Sequence, residues 1–564
     1  MALFSAAGVL GSVAIGFTAW SCVTLLSNYV IARKIGLPIV LSPISKMNVP
    51  WVVACTYTRI QHHLQRLPFG LGKWARYSYL GWVFDEKYTL YQELGPAFVV
   101  VNPTENDLCV AGAEATHDIQ KRWKDFIKPR YYEVVDRFGP NLTTAEGDDW
   151  SRHRKLTAPT FNEKSSALSW MESLAQAQAM SRIWLQKGSE GNRETAKDTA
   201  TLAMNVLTAV AYGLPYPFHE ESPKLTPGHT MTYKDAMATI LGLYTMYLII
   251  PISTMSSPWM PRFIQKLGLA TKEFTTYNEE MFRNTRSSIL KGEPVVANLL
   301  SALVRASDNA HKTTISGRSQ GLSEDEIYGN LFIYGLGGHE TTANILTYTM
   351  CMMAAYPEWQ EWVAEEIYHV TKDYPGPQAW KYEEIHPQLK RCLAVMFETL
   401  RLYGSVIIQP RHTSTTPQPL TIAGKTYLIP ANTAISLNIH ANHVSPEYFA
   451  PDPLAWRPAR WITAGAGGRT GIGREELVEL APGTFTPWTG GPRICPGKKF
   501  AQVEFTAVMA VVFRQMRVEP VVASGQKIEE VRKQVVAMAE DSQLQPTTLQ
   551  MREGGRIALA WRQV

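Results

Sequence analysis

Apolar residues recur at helical spacing along most of the chain, and this periodicity is the main structural signal in the sequence. Three shorter runs have strand-like patterning, at 97–102, 417–429 and 433–439. Many long helices with a minor β component predict a mixed, mainly α domain. The helical segments lie near 107–124, 148–160, 166–187, 196–213, 271–291, 323–356, 358–371, 390–403 and 497–514.

The first 32 residues contain no charged side chain, and Arg33 and Lys34 follow them directly. A helix needs roughly 20 apolar residues to cross a bilayer, and basic residues after the span favour a cytosolic domain behind it. We therefore predict an uncleaved membrane anchor over 1–32, with a buried core helix or a cleaved signal as alternatives. Prolines predict a linker over 33–50, and a single large domain follows at 51–564.

Two further stretches stand out by composition. The run 237–252 is unusually apolar, which fits either a second membrane contact or a buried helix. The glycine-rich stretch 464–473 is interpreted as a flexible surface insertion. It is not a dinucleotide fingerprint, because the last glycine of a motif starting at Gly471 would fall at Glu476. With no nicotinamide or flavin site visible, electrons for any redox reaction must come from another protein.

Composition narrows the functional classes. The chain has 564 residues, of which 45% are hydrophobic and 19% charged, so it is an ordinary globular protein. Its net charge of +5 is mild for this length and does not favour nucleic-acid binding. The six cysteines show neither paired metal spacing nor a disulfide framework, which fits a reducing compartment.

One of these cysteines, Cys495, lies in a loop rich in glycine and proline, Pro487–Ala501. A helical pattern begins directly behind it, at Gly497. The N-terminus of a helix favours a thiolate over a thiol, and a thiolate is a metal ligand. Taken alone, a single cysteine is more often simply buried.

A second group of residues lies inside the helical segment 323–356. Its start carries a capping box, and three glycines at 335, 337 and 338 each cost the helix about 1 kcal/mol relative to alanine. They permit a bulge or the close approach of a ligand. The next residues, Glu340 and Thr341, place a carboxylate beside a hydroxyl, a pair able to relay protons. The alternative is close helix packing with Glu340 in a salt bridge.

Two charged pairs share helix faces. Glu398 and Arg401 stand three apart on an otherwise apolar helix, so we expect them to be buried, with Arg460 as a third member. Trp150 and Arg154 stand four apart and together offer two kinds of N–H donor to an anion. Without other context, the second pair fits an ordinary solvated face.

The segment Trp488-x-x-Gly491-x-Arg493-x-Cys495-x-Gly497 resembles the haem-binding loop of the cytochrome P450 family, with Trp where that family usually has Phe. The resemblance implies that Cys495 is the axial thiolate ligand of a haem b iron. It also implies that Arg493 pairs with a haem propionate. Thiolate ligation favours O–O bond cleavage.

Other motifs of that family appear in the expected order. The segment 337–342 is similar to its oxygen-activation motif, which implies that Thr341 hydrogen-bonds dioxygen and that Glu340 helps to deliver protons. Trp150 with Arg154 resembles the WxxxR helix, whose residues contact a haem propionate, and Arg411 more loosely matches another propionate arginine.

The structural motifs of the family are present as well. Glu398 and Arg401 look like its ExxR helix, and Arg460 lies in a segment similar to its later aromatic-x-Pro-x-Arg-aromatic motif, again with Trp replacing Phe. By resemblance these three residues lock the core behind the haem loop and have no chemical role.

The resemblance implies a cytochrome P450 fold with an N-terminal anchor helix in the endoplasmic reticulum membrane, crossing once with the catalytic domain in the cytosol. The implied activity is monooxygenation of a lipophilic small molecule, and the overall sequence looks like fungal members of secondary metabolism. The implied electron donor is NADPH–cytochrome P450 reductase. A basic face for its docking is predicted from Arg152, Lys155, Lys498 and Lys499.

Two other functions fit the same fold. A haem-thiolate isomerase or dehydratase would use no dioxygen, but such enzymes often lose the acid–alcohol pair that this chain keeps. A non-enzymatic haem binder would have no use for a proton relay. The substrate itself, its site of oxidation and the number of oxidation steps do not follow from the sequence.

Overall fold

The computed structural model describes residues 2–219, 225–312, 314–315, 318–465, 471–545 and 548–564. Helices dominate the described residues, as the periodicity predicts. They are α1 (Ala2–Arg33), α2 (Val49–Thr58), α3 (Ile60–Leu64), α4 (Trp82–Glu86), α5 (Thr89–Leu94), α6 (Ala113–Lys121), α7 (Gly147–Thr157), α8 (Glu163–Gln186), α9 (Thr195–Leu207), α10 (Tyr233–Gly242), α11 (Ile252–Met255), α12 (Arg262–Leu290), α13 (Leu299–His311), α14 (Glu324–Ala355), α15 (Glu358–Thr371), α16 (Tyr382–Ile385), α17 (Lys390–Tyr403), α18 (Ile439–His443), α19 (Lys498–Gln515) and α20 (Ile528–Glu540).

The strands of the described residues are short. They are β1 (Ile39–Leu41), β2 (Ala97–Val101), β3 (Asn106–Val110), β4 (Phe126–Ile127), β5 (Thr314–Ile315), β6 (Arg318–Ser319), β7 (Ile408–Thr413), β8 (Gln418–Ile422), β9 (Lys425–Ile429), β10 (Ala434–Asn438), β11 (Ile462–Ala464), β12 (Glu475–Leu477), β13 (Met516–Pro520), β14 (Ser542–Gln545), β15 (Thr548–Met551) and β16 (Leu559–Gln563).

The chain divides into two compact units, each described here by itself. Unit 1 comprises 1–129, 406–455 and 479–495, and unit 2 comprises 130–405, 456–478 and 496–564. Unit 1 is built on a six-stranded sheet in the order β1-β2-β3-β10-β7-β4. Its apolar core forms between this sheet, α6 and the β8–β9 hairpin.

The predicted linker contributes to the sheet of unit 1. Strand β1 pairs in parallel with β2, with Ile39 opposite Val99. A little further on, the partly buried Lys46 forms an ion pair with Asp107 and donates a hydrogen bond to the hydroxyl of Ser436 at 2.7 Å. The segment 33–50 is therefore folded against the sheet, although its prolines suggest a linker.

Helix α1 contains a span that is long and apolar enough to cross a membrane, Ile15–Arg33, with a mean hydropathy of 1.4. Its last turns also pack onto unit 1. The Asn28 side chain donates to the carbonyl of Asn102 at 2.8 Å, and Asn106 donates back to the carbonyl of Asn28 at 3.1 Å. Ala32 is fully buried in the core of the unit.

Unit 2 is organised around α14, which packs against α9, α17, α19 and α20. Its start carries the predicted capping box: the Ser323 hydroxyl accepts from the N–H of Glu326 at 3.2 Å, and Glu326 accepts from the N–H of Ser323 at 2.8 Å. Most residues on every side of α14 are buried, as expected for a core helix.

The apolar run 237–252 belongs to unit 2, and among its described residues the buried side chains all lie at or before Tyr247. Met237, Ile240 and Tyr247 are at most 1% exposed, so the buried-helix interpretation holds for this part. Exposed apolar side chains begin only at the end of the run and continue beyond it, with Ile249, Ile252, Trp259 and Phe263 between 37% and 72% exposed. Half of the glycine-rich stretch 464–473, residues 466–470, lies outside the described residues.

A buried histidine joins the segment before α10 to α12. The two ring nitrogens of His229 lie 2.6 Å from a carboxylate oxygen of Glu273 and 3.2 Å from one of Glu280. Its ring stacks on Tyr277 at 3.5 Å, and Thr230 donates to Glu273 through its backbone N–H at 2.9 Å. We call these five residues the histidine clasp.

The clasp makes stability depend on pH. Burial lowers the pKa of His229, but the two carboxylates outweigh it and raise the pKa above the usual value. Burial likewise raises the pKa of Glu273, and its hydrogen bonds outweigh this and lower it. The stabilisation of the folded state by charged His229 is complete below the pKa of this residue in the unfolded chain. It is lost as the pH rises through the higher pKa of His229 in the folded protein. The stabilisation by ionised Glu273 is complete above the pKa of this residue in the unfolded chain. It is lost as the pH falls through the lower pKa of Glu273 in the folded protein.

We therefore expect His229→Gln to lower the free energy of unfolding by about 2 kcal/mol at about pH 6, and by less at about pH 9. Urea unfolding followed by fluorescence at both pH values measures this difference. His369→Gln, at an exposed position of α15, is the matched control and should change neither value. An equal loss at the two pH values would contradict a charged clasp.

Candidate functional site

The loop that carries Cys495 belongs to unit 1 and folds back on itself. The N–H of Cys495 donates to the carbonyl of Trp488 at 3.0 Å, and the Thr489 hydroxyl donates to the carbonyl of Arg493 at 3.1 Å. These bonds close a tight turn around the segment, and the Cys495 thiol is exposed. The turn thus fixes the backbone and presents the sulfur outward.

Two glycines let this loop pack directly on α6. Gly491 has a φ of +64°, and a Cβ there would overlap the carbonyl of Gln120. A Cβ at Gly490 would overlap the side-chain amide of the same residue. Gln120 in turn donates to the Gln409 side-chain oxygen at 2.9 Å, within the buried interior. The absence of a Cβ at both positions therefore lets the loop lie directly against Gln120 of α6.

Unit 1 also holds two of the predicted anion-binding arginines. The guanidinium of Arg493 lies over the Trp123 ring at 5.2 Å. Arg411 is buried on β7, where it stands opposite Ile435 of β10, and its Nη1 donates to the carbonyl of Pro410 at 3.0 Å. Both cations are thus held by the fold itself.

Unit 2 contains the predicted proton-relay pair on α14. The Thr341 hydroxyl donates to the carbonyl of Gly337 at 2.7 Å, one turn earlier in the same helix. The Glu340 carboxylate accepts a hydrogen bond from the Thr548 hydroxyl at 3.0 Å. Burial raises the pKa of Glu340 above its usual value, and the bond from Thr548 opposes that rise. The salt bridge proposed as an alternative for Glu340 does not form with any described residue.

The three glycines of α14, Gly335, Gly337 and Gly338, have different surroundings. A Cβ at Gly335 would overlap the Met237 side chain, and one at Gly338 would come within 3.0 Å of Leu207, so both allow close packing. At Gly337 an added Cβ would have nothing within 4 Å. Close packing therefore accounts for two of the glycines, and the third borders open space beside Thr341, where the approach of a ligand stays a prediction.

This difference predicts opposite effects of alanine at two positions of α14. Gly337→Ala should raise the free energy of unfolding by up to about 1 kcal/mol, because alanine favours a helix and meets no neighbour. Gly329→Ala is the matched control: its Cβ would overlap the carbonyl oxygens of Gly139 and Pro140, so we expect a loss of about 1–3 kcal/mol or more. Urea denaturation of both variants checks the pair, and a loss at Gly337 would contradict the open space.

His339, next to Glu340, is a residue whose role the sequence did not suggest. Its Nε2 donates to the carbonyl of Ala200 on α9 at 3.1 Å. Burial lowers the pKa of this imidazole to about 4, so the ring is neutral at physiological pH. It therefore fastens the glycine-rich part of α14 to α9 without adding charge near Glu340.

Trp150 and Arg154 lie on α7 in unit 2. Trp150 is 6% exposed, and Arg154 is partly buried one turn further along. Among the residues that the structure describes, none forms a hydrogen bond or ion pair with the Arg154 side chain. A half-buried guanidinium in this condition suits an anionic group brought by a ligand.

The neighbouring Arg152 is engaged within the fold. Its Nη1 donates to Glu326 at 2.9 Å, and Glu326 also lies 3.2 Å from the ring of His153. Burial raises the pKa of Glu326, but its hydrogen bonds with Arg152, His153 and the Ser323 N–H outweigh it and lower the pKa well below the usual range. Arg152 therefore connects α7 to α14. We no longer include it in the predicted basic docking face, because its charge is paired with Glu326.

Glu398, Arg401 and Arg460 meet in the core of unit 2. Glu398 and Arg401 are completely buried, and both arginines donate to the carboxylate at 2.9 Å. The N–H of Arg457 and the indole of Trp461 also donate to it, at 2.7 and 2.9 Å. Burial alone would raise the pKa of Glu398, but its partners outweigh that effect and lower the pKa.

Each unit, taken by itself, carries side chains whose chemistry suits a haem. Unit 1 offers the exposed thiol of Cys495, which lies in a turn, and two arginines of the family motifs, Arg493 and Arg411. Unit 2 offers Arg154, whose side chain has no hydrogen-bond or ion-pair partner among the described residues, and the open space beside Gly337. A thiolate suits iron, guanidinium groups suit propionates, and a glycine-bordered space suits a flat group.

The sequence model described as "Cytochrome P450" matches residues 67–545. The chain belongs to the cytochrome P450 family. It is an enzyme of the monooxygenase type, as are its fungal relatives. It is 31% identical to the "Phomenoic acid biosynthesis cluster cytochrome P450 monooxygenase" of Leptosphaeria maculans, over 92% of this chain and 93% of that protein. It is 30% identical to "Cytochrome P450 monooxygenase ORF6" of Penicillium roqueforti, over 90% of each chain.

The fold of this P450 resembles solved structures of the family. The crystal structure of the cytochrome P450DA heme domain aligns with a TM-score of 0.63, covering 85% of this chain and 93% of that one at 17% identity. The likeness confirms the predicted P450 fold, mainly α with minor β. Family membership implies a haem iron with a cysteine thiolate ligand.

Proposed function

We propose that this P450 uses dioxygen and reductase-supplied electrons to hydroxylate or epoxidise a lipophilic small molecule in secondary metabolism. The observation that carries the proposal is the acid–alcohol pair, Glu340 and Thr341, beside the open space at Gly337. An isomerase or a simple haem binder has no need of such a pair. The naming of a relative for a biosynthetic cluster supports the metabolic setting.

The residues of the family motifs would bind the haem. Cys495 would ligate haem iron, and Trp150, Arg154, Arg411 and Arg493 would hold the propionates, with Trp488 and Gly497 completing the loop. The haem, when bound, supplies the oxidising chemistry that cleaves an O–O bond and inserts oxygen into the substrate.

The chain's own contribution to the reaction is the handling of protons. Thr341 can donate its hydroxyl hydrogen to a ligand in the open space and regain one from water, since its present bond is only to its own helix. Glu340, partly buried and with a pKa that burial raises above its usual value, can hold a proton and release it.

We further propose that the enzyme is held in the endoplasmic reticulum membrane by α1, with its catalytic domain in the cytosol. The exposed apolar side chains Ile249, Ile252, Trp259 and Phe263 would add a second contact with the lipid surface. Both would favour entry of a lipophilic substrate. The exposed Lys155 and Lys498 offer positive charge for docking of NADPH–cytochrome P450 reductase. The exposed Lys499 lies beside Lys498, but it pairs with Glu163 at 2.7 Å.

Isotopically labelled dioxygen tests the proposal. Membranes containing the enzyme and the reductase are supplied with NADPH and a library of lipophilic terpenoids and polyketides, and the products are analysed by mass spectrometry. We expect a product that carries one labelled oxygen atom and depends on NADPH. A converted substrate that gains no label would contradict monooxygenation and indicate the isomerase or dehydratase alternative.

A further inference from the structure

The carboxylate of Glu340 is held from outside its own helix, by a hairpin near the C-terminus. Strands β14 and β15 form this hairpin in unit 2, and Thr548 is the first residue of β15. The Thr548 hydroxyl lies 3.0 Å from Oε2 of Glu340. Thr548 is 5% exposed, so little water competes for this bond.

A second hydrogen bond supports the first. The side-chain amide of Gln550 donates to the Thr548 hydroxyl oxygen at 3.0 Å. The hydroxyl proton has two possible acceptors, Glu340 at 3.0 Å and the carbonyl of Gln545 at 3.3 Å. The shorter distance and the negative charge favour the carboxylate. An amide that donates to a hydroxyl also makes it a better donor.

The hairpin is itself fixed against the surrounding elements. The Asn344 side chain on α14 donates to the carbonyl of Leu549 at 3.3 Å, and the N–H of Leu549 donates to the carbonyl of Ser405 at 2.9 Å. The Ser405 hydroxyl reaches the carbonyl of Thr341 at 3.3 Å. Thr548 therefore approaches Glu340 from a backbone that is tied to the same turn of α14.

The two carboxylate oxygens of Glu340 are consequently unequal. Oε2 is occupied by Thr548, whereas Oε1 has no hydrogen-bond partner among the described residues. The neighbouring Thr341 donates to its own helix and does not compete for either oxygen. A carboxylate held at one oxygen keeps one rotamer and leaves the other oxygen to water.

We propose that Thr548 is the positioning residue of Glu340, holding one carboxylate oxygen so that the other exchanges protons with water. This inference rests on the proposed function, in which Glu340 delivers protons. Thr548 acts through Glu340 and is not itself assigned to touch substrate. A bond to the ionised form also opposes the effect of burial and keeps the carboxyl able to ionise.

Infrared difference spectroscopy of the reduced, CO-bound full-length enzyme tests this assignment. The C=O stretch of a protonated carboxyl group is followed as a function of pH and is assigned to Glu340 by its loss in Glu340→Gln. In Thr548→Val, which keeps the side-chain shape without the donor, we expect the titration midpoint to move to higher pH. Thr548→Ser, which keeps the hydroxyl, should restore the wild-type midpoint.

Further variants separate this role from general damage. Gln550→Leu should move the midpoint in the same direction by a smaller amount. Thr347→Val, the matched control on α14, removes a buried hydroxyl that bonds to Ala343 and Thr199, and should leave the midpoint unchanged. Should Thr548→Val fail to fold, Thr548→Cys takes its place, because its thiol is only a weak donor.

The assignment is overturned if the midpoint in Thr548→Val, or in its cysteine substitute, coincides with that of the wild type. Failure of the underlying function looks different. In that case the CO complex lacks the red-shifted thiolate band, or a carboxyl band survives in Glu340→Gln and belongs to another residue.

Discussion

Replacing Cys495 with alanine should abolish the strongly red-shifted Soret band of the reduced, CO-treated enzyme, together with its monooxygenase activity. The thiolate is the proposed axial ligand, and only thiolate donation produces that shift and favours O–O cleavage. The fold should survive, because the thiol is exposed and the loop is closed by backbone bonds such as that from Cys495 N–H to Trp488. Absorption spectra of microsomes expressing each protein measure the effect.

Cys109→Ala is the matched control for this experiment. Cys109 lies in the same unit, on β3, and is completely buried. Its replacement removes a sulfur atom from the core but should leave the red-shifted band in place. A wild-type enzyme that binds haem without that band would show that Cys495 is not the ligand, and the proposed mechanism would then fail.

Glu398→Ala should cost about 3–5 kcal/mol of stability and greatly reduce the yield of folded enzyme. The change strands Arg401, which is completely buried, and also removes the acceptor for Arg460 and Trp461. Removing one partner of a buried ion pair leaves an uncompensated charge, which accounts for a loss of this size. Urea unfolding, with haem content as a second measure, gives the magnitude.

An ion pair with one exposed partner provides the comparison, because the buried Arg391 keeps a second carboxylate partner, Glu475, at 2.7 Å. Glu365 is 64% exposed and pairs with Arg391 at 2.7 Å, so Glu365→Ala should cost no more than about 1 kcal/mol. The Glu398 contribution should also fall away in acid, because its lowered pKa means that stability is lost as the pH drops through the folded value. Similar losses from the two variants would contradict the special role of the buried network.

The long helices were predictable because local sequence determines them. Ser323 and Glu326 mark the start of α14, and the predicted segment 323–356 differs from the observed α14 by one residue at each end. The segment 107–124 was only partly right. Residues Asn106–Val110 form the central strand β3, because they pair with both β2 and β10, and such pairing is a tertiary effect that a local pattern does not reveal.

In the candidate site, too, the features set by local sequence were predictable and those set by tertiary contacts were not. The motif residues could be found in the sequence because each motif is local, and Glu398 with Arg401 could be expected to be buried from the apolar residues around them. The partners of these residues could not be found in this way. Thr548 lies 208 positions from Glu340, and Arg152 lies 174 positions from Glu326. Contacts between residues so far apart in the sequence produce no pattern of apolar and polar positions from which they could be predicted.

Strand β1 also bears on how a soluble form of the enzyme should be made. It covers one edge of β2, and an uncovered edge offers free backbone groups to other chains and promotes aggregation. A deletion up to residue 50 would remove β1 and the Lys46 ion pair with Asp107. A deletion that ends before Asn28 would keep the edge covered, and it would remove most of the apolar span.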